Sequence, residues 1–135
     1  MMQESSDVVI LGAGIVGMAT LIAIDKYDIE VTLISDAKTI HKKEADPRFY
    51  TITPGVKTWL EKNGVWTFLP KKEVSSVRSI IVYSDKEHSS LKFDADDAGM
   101  NELAFIVNHD DLEKAFIHRI SEISYEKIKT NKIKS

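Results

Sequence analysis

The residues best suited to chemistry are three glycines, Gly12, Gly14 and Gly17, spaced as GxGxxG directly behind the apolar run Val8 to Leu11. In such a bend the first glycine allows a tight turn, the second lets the backbone approach a pyrophosphate, and the third lets the following helix pack closely on the strand. The free amides at the helix start, around Ile15 and Val16, then face an anion. A second strand-like run, Glu30 to Ser35, ends beside Asp36. An acidic side chain roughly 20 residues beyond such glycines accepts hydrogen bonds from a ribose hydroxyl. Three close glycines also occur in turns with no ligand, but the strand before them and the helix-forming segment after them favour a dinucleotide site.

Those side chains need a βαβ frame. Val8 to Leu11 reads as a buried parallel strand, Ile15 to Ile24 as an apolar helix dense in small residues, and Glu30 to Ser35 as the returning strand. The uncharged stretch from Val8 to Ile24 is short for a membrane span and has no basic segment before it, and its glycines sit where a strand must turn into a helix. A span and a signal peptide are therefore both rejected.

Ala37 to Asp46 is a polar connection without period, read as a loop. Thr53-Pro54 predicts an N-cap with proline in the first helical turn, followed by Val56, Trp59 and Leu60 at helical spacing and a stop at Gly64. Val65 and Trp66 then fold back as an apolar plug. Val77 to Ser84 and Ser89 to Phe93 predict a hairpin across Asp85 to His88. Leu103 to Val107 is a further strand, and Asn108 to Asp110 caps a helix with Leu112, Phe116, Ile120 and Ile123 on its core stripe. The lysine-rich tail from Glu126 to Ser135 reads as cut off or frayed.

At 135 residues, 43% hydrophobic and 29% charged, the chain has the composition of one globular domain or a piece of one. A net charge of -3 offers no broad basic surface, so nucleic acid is excluded as a partner. With no cysteine there is no disulfide, thiol nucleophile or thiolate metal site. The histidines, His41, His88, His109 and His118, are read as lacking metal-ligand spacing, Asp94 to Asp97 as a solvated turn, and no GxSxG elbow supports a hydrolase.

The segment Asp46 to Trp66 carries an aspartate, one residue, an arginine, then a short helix ending in Gly64-Val65-Trp66. In this it resembles the FAD-dependent hydroxylases of ubiquinone biosynthesis, members of the class A flavoprotein aromatic-ring monooxygenases. Val77 to Asp85 is similar to the strand that opens the substrate-side sheet of that family, and Leu103 to Leu112 to the strand and helix start that return to its FAD domain. The likeness runs from Asp7 to about Phe116.

The resemblance implies an enzyme in which FAD, reduced by NAD(P)H, takes up oxygen and passes a hydroxyl to an activated aromatic ring. Gly12, Gly14 and Gly17, with the amides of Ile15 and Val16, would hold the pyrophosphate, and Arg48 would reach FAD as a charge-assisted donor. Read without the family, Arg48 is a surface ion-pair partner of Asp46 or Glu44. The family's acidic ribose ligand falls at Ser35, with Asp36 one residue later, and consecutive strand residues point to opposite faces. Asp28 stands in place of a glycine, and Asn108 in place of a glutamate.

The expected fold is therefore α/β: a Rossmann-like FAD-binding βαβ start with a β-hairpin from a second, substrate-side sheet, incomplete relative to the family. Residues 1–70 would begin the FAD-binding domain, 71–107 belong to the substrate-side sheet, and 108–135 return to the FAD domain. The partner would be a small aromatic ubiquinone precursor. The location would be cytoplasmic, with peripheral attachment to the inner membrane left open. Half a flavin site implies weak or no FAD retention. A non-catalytic remnant or dinucleotide-binding module, and an NAD-linked dehydrogenase, are the other readings the glycines allow.

Overall fold

The computed structural model of the chain describes residues 5–35, 45–85, 89–123 and 128–132. Strand β1 (Val8–Leu11) leads through the glycines into helix α1 (Ile15–Ile24), and β2 (Val31–Ser35) returns parallel to β1, with Leu11 opposite Ile34. All three elements form where the sequence predicts them, but β1 is not the buried strand expected: Ile10 is buried, whereas Val9 and Leu11 are exposed because no described element covers that face. Helix α1 is apolar around much of its circumference because it packs on two sides. Leu21 meets Ile10, Val31 and Leu33 of the sheet, while Met18 and Ile22 enter the larger core. Asp28 needs no left-handed backbone, since no described non-glycine residue has a positive φ.

An unpredicted strand follows, β3 (Phe49–Ile52), and then α2 (Pro54–Lys62). Thr53 caps α2 by accepting from the Val56 amide at 3.4 Å. The helix ends as the sequence predicts: Gly64 takes φ 74°, its amide donates to the Glu61 carbonyl at 3.1 Å, and the Val65 amide donates to Leu60 at 2.9 Å. This double closure satisfies the last carbonyls and drops Val65 into full burial.

The expected single strand from Val77 to Ser84 is corrected to two strands with different partners. They are β4 (Ser75–Val77) and β5 (Ser79–Tyr83), and Arg78 is the break. Its carbonyl accepts the Ala95 amide at 2.8 Å, and its guanidinium donates to the Asn101 carbonyl and to Asp96. These bonds pull the backbone out of one ladder and start the next. Strand β5 pairs antiparallel with β6 (Ser90–Asp94) in the expected hairpin, Ser79 opposite Asp94 and Tyr83 opposite Ser90.

Strand β7 (Ala104–Asn108) lies between β3 and β4, antiparallel to both, so this sheet joins strands from both sides of residue 70. Asn108 caps α3 (His109–Ser121), accepting from the Asp111 amide at 2.8 Å. The stripe of α3 is core as expected: Leu112, Phe116 and Ile123 are buried against Met18, Ile52, Leu60 and Val107, with Ile120 partly buried.

The tail is also corrected. Ile128–Lys132 is a strand, β8, parallel to β2 with Ile128 opposite Val31. Isolated isoleucines among lysines give little apolar signal, and the ladder to β2 supplies what the pattern lacks. The described strands thus form the sheets β1-β2-β8, β3-β7-β4 and β5-β6.

Candidate functional site

The bend between β1 and α1 is shaped by each of its glycines differently. Gly12 takes φ 105°, a conformation L side chains rarely adopt, and its amide donates to the Ile34 carbonyl at 2.8 Å, tying the bend to the end of β2. A Cβ on Gly17 would lie 1.9 Å from the Gly12 carbonyl oxygen and 3.4 Å from Ile10 Cγ2. Glycine there is a packing necessity. A Cβ on Gly14 would meet nothing within 4 Å. The bend is open at that point, and no neighbouring atom of the chain requires a glycine.

Gly14 is the N-cap of α1, and the first i to i+4 bond runs from the Met18 amide to the Gly14 carbonyl at 2.9 Å. The amides of Ile15, Val16 and Gly17 precede that bond and have no partner inside the helix. No side chain caps them, and the first turn carries no acidic residue to repel an anion. Val16 and Gly14 are exposed and Ile15 half-buried. This donor set, with the helix dipole behind it, fits a phosphate or diphosphate.

The other predicted residues are placed as follows. Ser35 ends β2, one residue beyond the Ile34 carbonyl that Gly12 engages, so its backbone is beside the bend. Asp36 lies outside the described residues. Arg48 stands just before β3 with its guanidinium forked on Asp46: Nε donates to Oδ1 at 2.8 Å and a terminal nitrogen to Oδ2 at 2.6 Å. This is the ion pair that the sequence offers without any family. The fork holds the Asp46 carboxyl well below the usual carboxylate range and raises the Arg48 guanidinium further.

The sequence assigned Tyr50 and Glu113 no role and read His109 as lacking metal-ligand spacing at a loop-like or helix-surface position; the fold instead buries His109 and gathers all three beside that ion pair. Tyr50 hydroxyl lies 3.0 Å from His109 Nδ1, and His109 Nε2 lies 3.7 Å from both an Asp46 and a Glu113 carboxylate oxygen. The Arg48 carbonyl accepts the His109 amide at 2.9 Å, which locks α3 to the strand start. The signal that could have found the pair is the spacing of four between His109 and Glu113, which puts both on one helix face.

Tyr50 also connects this cluster to the bend. An apolar groove of about 560 Å³ runs along α1 from Ile15 and Val16 to Tyr50, Ile52 and Trp59. Ile15 and Val16, whose amides are open at the helix start, are among its lining residues. Tyr50, bonded to His109, forms part of its wall.

No protein-family model matches the sequence, and no curated protein matches it. Solved structures do match the fold. Over 92% of this chain it superposes on p-nitrophenol 4-monooxygenase PnpA of Pseudomonas putida, with a TM-score of 0.67 and 14% identity, covering 31% of that protein. The fold is that of part of a flavin-dependent monooxygenase. The flavin-dependent monooxygenase PieE, solved with FAD and substrate, matches over 93% of this chain and 23% of its own, with a TM-score of 0.63 and 14% identity. PqsL of Pseudomonas aeruginosa, solved with 2-aminobenzoylacetate, matches over 93% and 32%, with a TM-score of 0.65 and 19% identity. The chain thus spans about a third or less of each of these proteins. Among the described residues no helix is long and apolar enough to cross a membrane.

Proposed function

We propose that this chain supplies the pyrophosphate-binding portion of an FAD-dependent monooxygenase that hydroxylates an aromatic ring. The observation that carries the reading is the bend itself: uncapped first-turn amides, open space over Gly14, and Gly17 forced to be glycine by the Gly12 carbonyl. The flavin-monooxygenase fold of the matching structures supports it. FAD, when bound, supplies the oxygen chemistry, with NAD(P)H as reductant. The amides of Ile15, Val16 and Gly17 would hold the diphosphate, and Ile15 and Val16 also line the apolar groove beside it. Ser35 or Asp36 meets the ribose. Arg48 would reach FAD with the edge of its guanidinium that the Asp46 fork does not use, since the fork takes only Nε and one terminal nitrogen.

The finer substrate reading, a ubiquinone precursor, rests on the Asp46 to Trp66 segment. The other reading is a dinucleotide-binding module without turnover. NAD(P)H oxidation with FAD supplied separates the two, since a module gives no substrate-dependent rate.

The first test is binding. A helix terminus contributes about 0.3 to 1 kcal/mol when exposed, so pyrophosphate and FAD should bind weakly. In amide NMR spectra both ligands should move Gly14, Ile15, Val16 and Gly17 before any other residues. If millimolar FAD and pyrophosphate leave those amides still, the reading fails.

A further inference from the structure

We propose that His109, Asp110 and Glu113 form a binding site for a divalent transition-metal ion, independent of the flavin reading. One atom from each residue, a ring nitrogen and two carboxylate oxygens, lies within 4.8 Å of the others. Acidic residues near a helix start are common without a metal. What singles out this group is the imidazole.

His109 is only 5% exposed, and its Nε2 has no hydrogen-bond partner among the described residues. Buried ring nitrogens are almost always satisfied. Its other nitrogen, Nδ1, lies 3.0 Å from the Tyr50 hydroxyl. When Nδ1–H donates to that oxygen, the Nε2 lone pair is left bare and aimed at Glu113 Oε1 and Asp46 Oδ2, each 3.7 Å away. A lone pair facing two carboxylates is repulsive unless a proton or a metal cation lies between them. At 3.7 Å the contact is too long for a direct hydrogen bond. It is a span that one ion bridges with two bonds of about 2.0 to 2.2 Å.

The ligand set fits this chemistry. An imidazole oriented through its second nitrogen by a hydrogen-bond acceptor is the usual arrangement of a metal-bound histidine. Four-residue spacing on α3 delivers Nε2 and the Glu113 carboxylate from one helix face, and Asp110 adds a second carboxylate. Asp110 also receives the Asp46 amide, at 3.3 Å to either of its oxygens, so one oxygen can serve the amide and the other the ion. The acidic pair Asp110 and Asp111 in the first turn offsets the positive helix end that would otherwise oppose a cation. Asp46, held by the Arg48 fork, stays a neighbour of the ion and not its ligand. One imidazole with two carboxylates selects a first-row transition ion over magnesium or calcium, which prefer all-oxygen sites.

The test is calorimetric titration of the full chain with Zn²⁺, repeated with Mg²⁺. We expect one Zn²⁺ per chain and no comparable Mg²⁺ binding. Glu113→Gln, at a partly exposed position, should weaken Zn²⁺ by about tenfold or more while circular dichroism stays native. His109→Ala should abolish the site. His118→Gln removes a histidine stacked on Phe68, 4.1 Å between ring centroids, and should change nothing. Co²⁺ in place of Zn²⁺ should give visible absorption bands that vanish in Glu113→Gln. No Zn²⁺ binding, or binding lost in His118→Gln and kept in folded Glu113→Gln, would overturn the proposal.

Discussion

Arg48 and Asp46 are joined by two parallel hydrogen bonds, 2.8 and 2.6 Å, that commit one edge of the guanidinium, Nε and one terminal nitrogen, to one carboxylate. The Arg48 side chain is 56% exposed while that of Asp46 is 10% exposed, so the acid is the anchored member. Its folded pKa is held by Arg48 below the unfolded value of about 3.9. A depressed carboxylate contributes stability that is complete above the unfolded value and is lost as pH falls through the folded one. Asp46→Asn should therefore lower the urea midpoint by a constant amount from pH 5 to 7, the gap closing below about pH 4. A gap that widens on acidification would contradict the fork.

Gly17→Ala and Gly14→Ala should separate packing from binding. The first places a methyl 1.9 Å from the Gly12 carbonyl, which must move, and should cost about 1 to 3 kcal/mol in urea denaturation. The second meets no atom of the chain. It should cost under about 1 kcal/mol, the usual cap preference, yet weaken the pyrophosphate response of the first-turn amides. Equal destabilisation by both would mean that the open face over Gly14 is closed in solution.

Asn108→Ala should cost about 1 kcal/mol by removing the cap on the Asp111 amide. Asn108→Ser should restore most of that, since its hydroxyl accepts from the amide without setting a second carboxylate against Asp111, whose Oδ2 accepts from Asn108 Nδ2 at 2.5 Å. Loss of stability by Ser equal to that by Ala would assign Asn108 a role other than capping.

The β5–β6 hairpin should exchange its amides far faster than β7. Every residue of β5 is exposed, whereas Ala104, Phe105 and Val107 of β7 are buried. A two-stranded ribbon without a covered face is marginal in water. Exposed Ile81, Val82, Tyr83 and Leu91 mark the ribbon's apolar surface. Hydrogen exchange read by mass spectrometry checks this, and comparable protection of Ile80 to Val82 and Phe105 to Val107 would refute it.

By itself the sequence determined the local events. The Val8 to Leu11 strand, the glycine bend, the Ile15 to Ile24 helix, the Thr53 and Asn108 caps and the Gly64 stop all depend on residues within a few positions of one another. Propensity, cap chemistry and the conformational freedom of glycine act at that range. Tertiary structure decided the rest. The Phe49–Ile52 and Ile128–Lys132 strands exist because β7 and β2 offer ladders to them, and the break at Arg78 exists because Ala95, Asp96 and Asn101 bind it from outside the strand. The meeting of Asp46, Tyr50 and His109 is likewise a product of the fold: residues about 60 apart become neighbours only when β3 pairs with β7. Glycine spacing told where backbone amides could meet an anion, and only chain closure told which acidic and imidazole groups stand together.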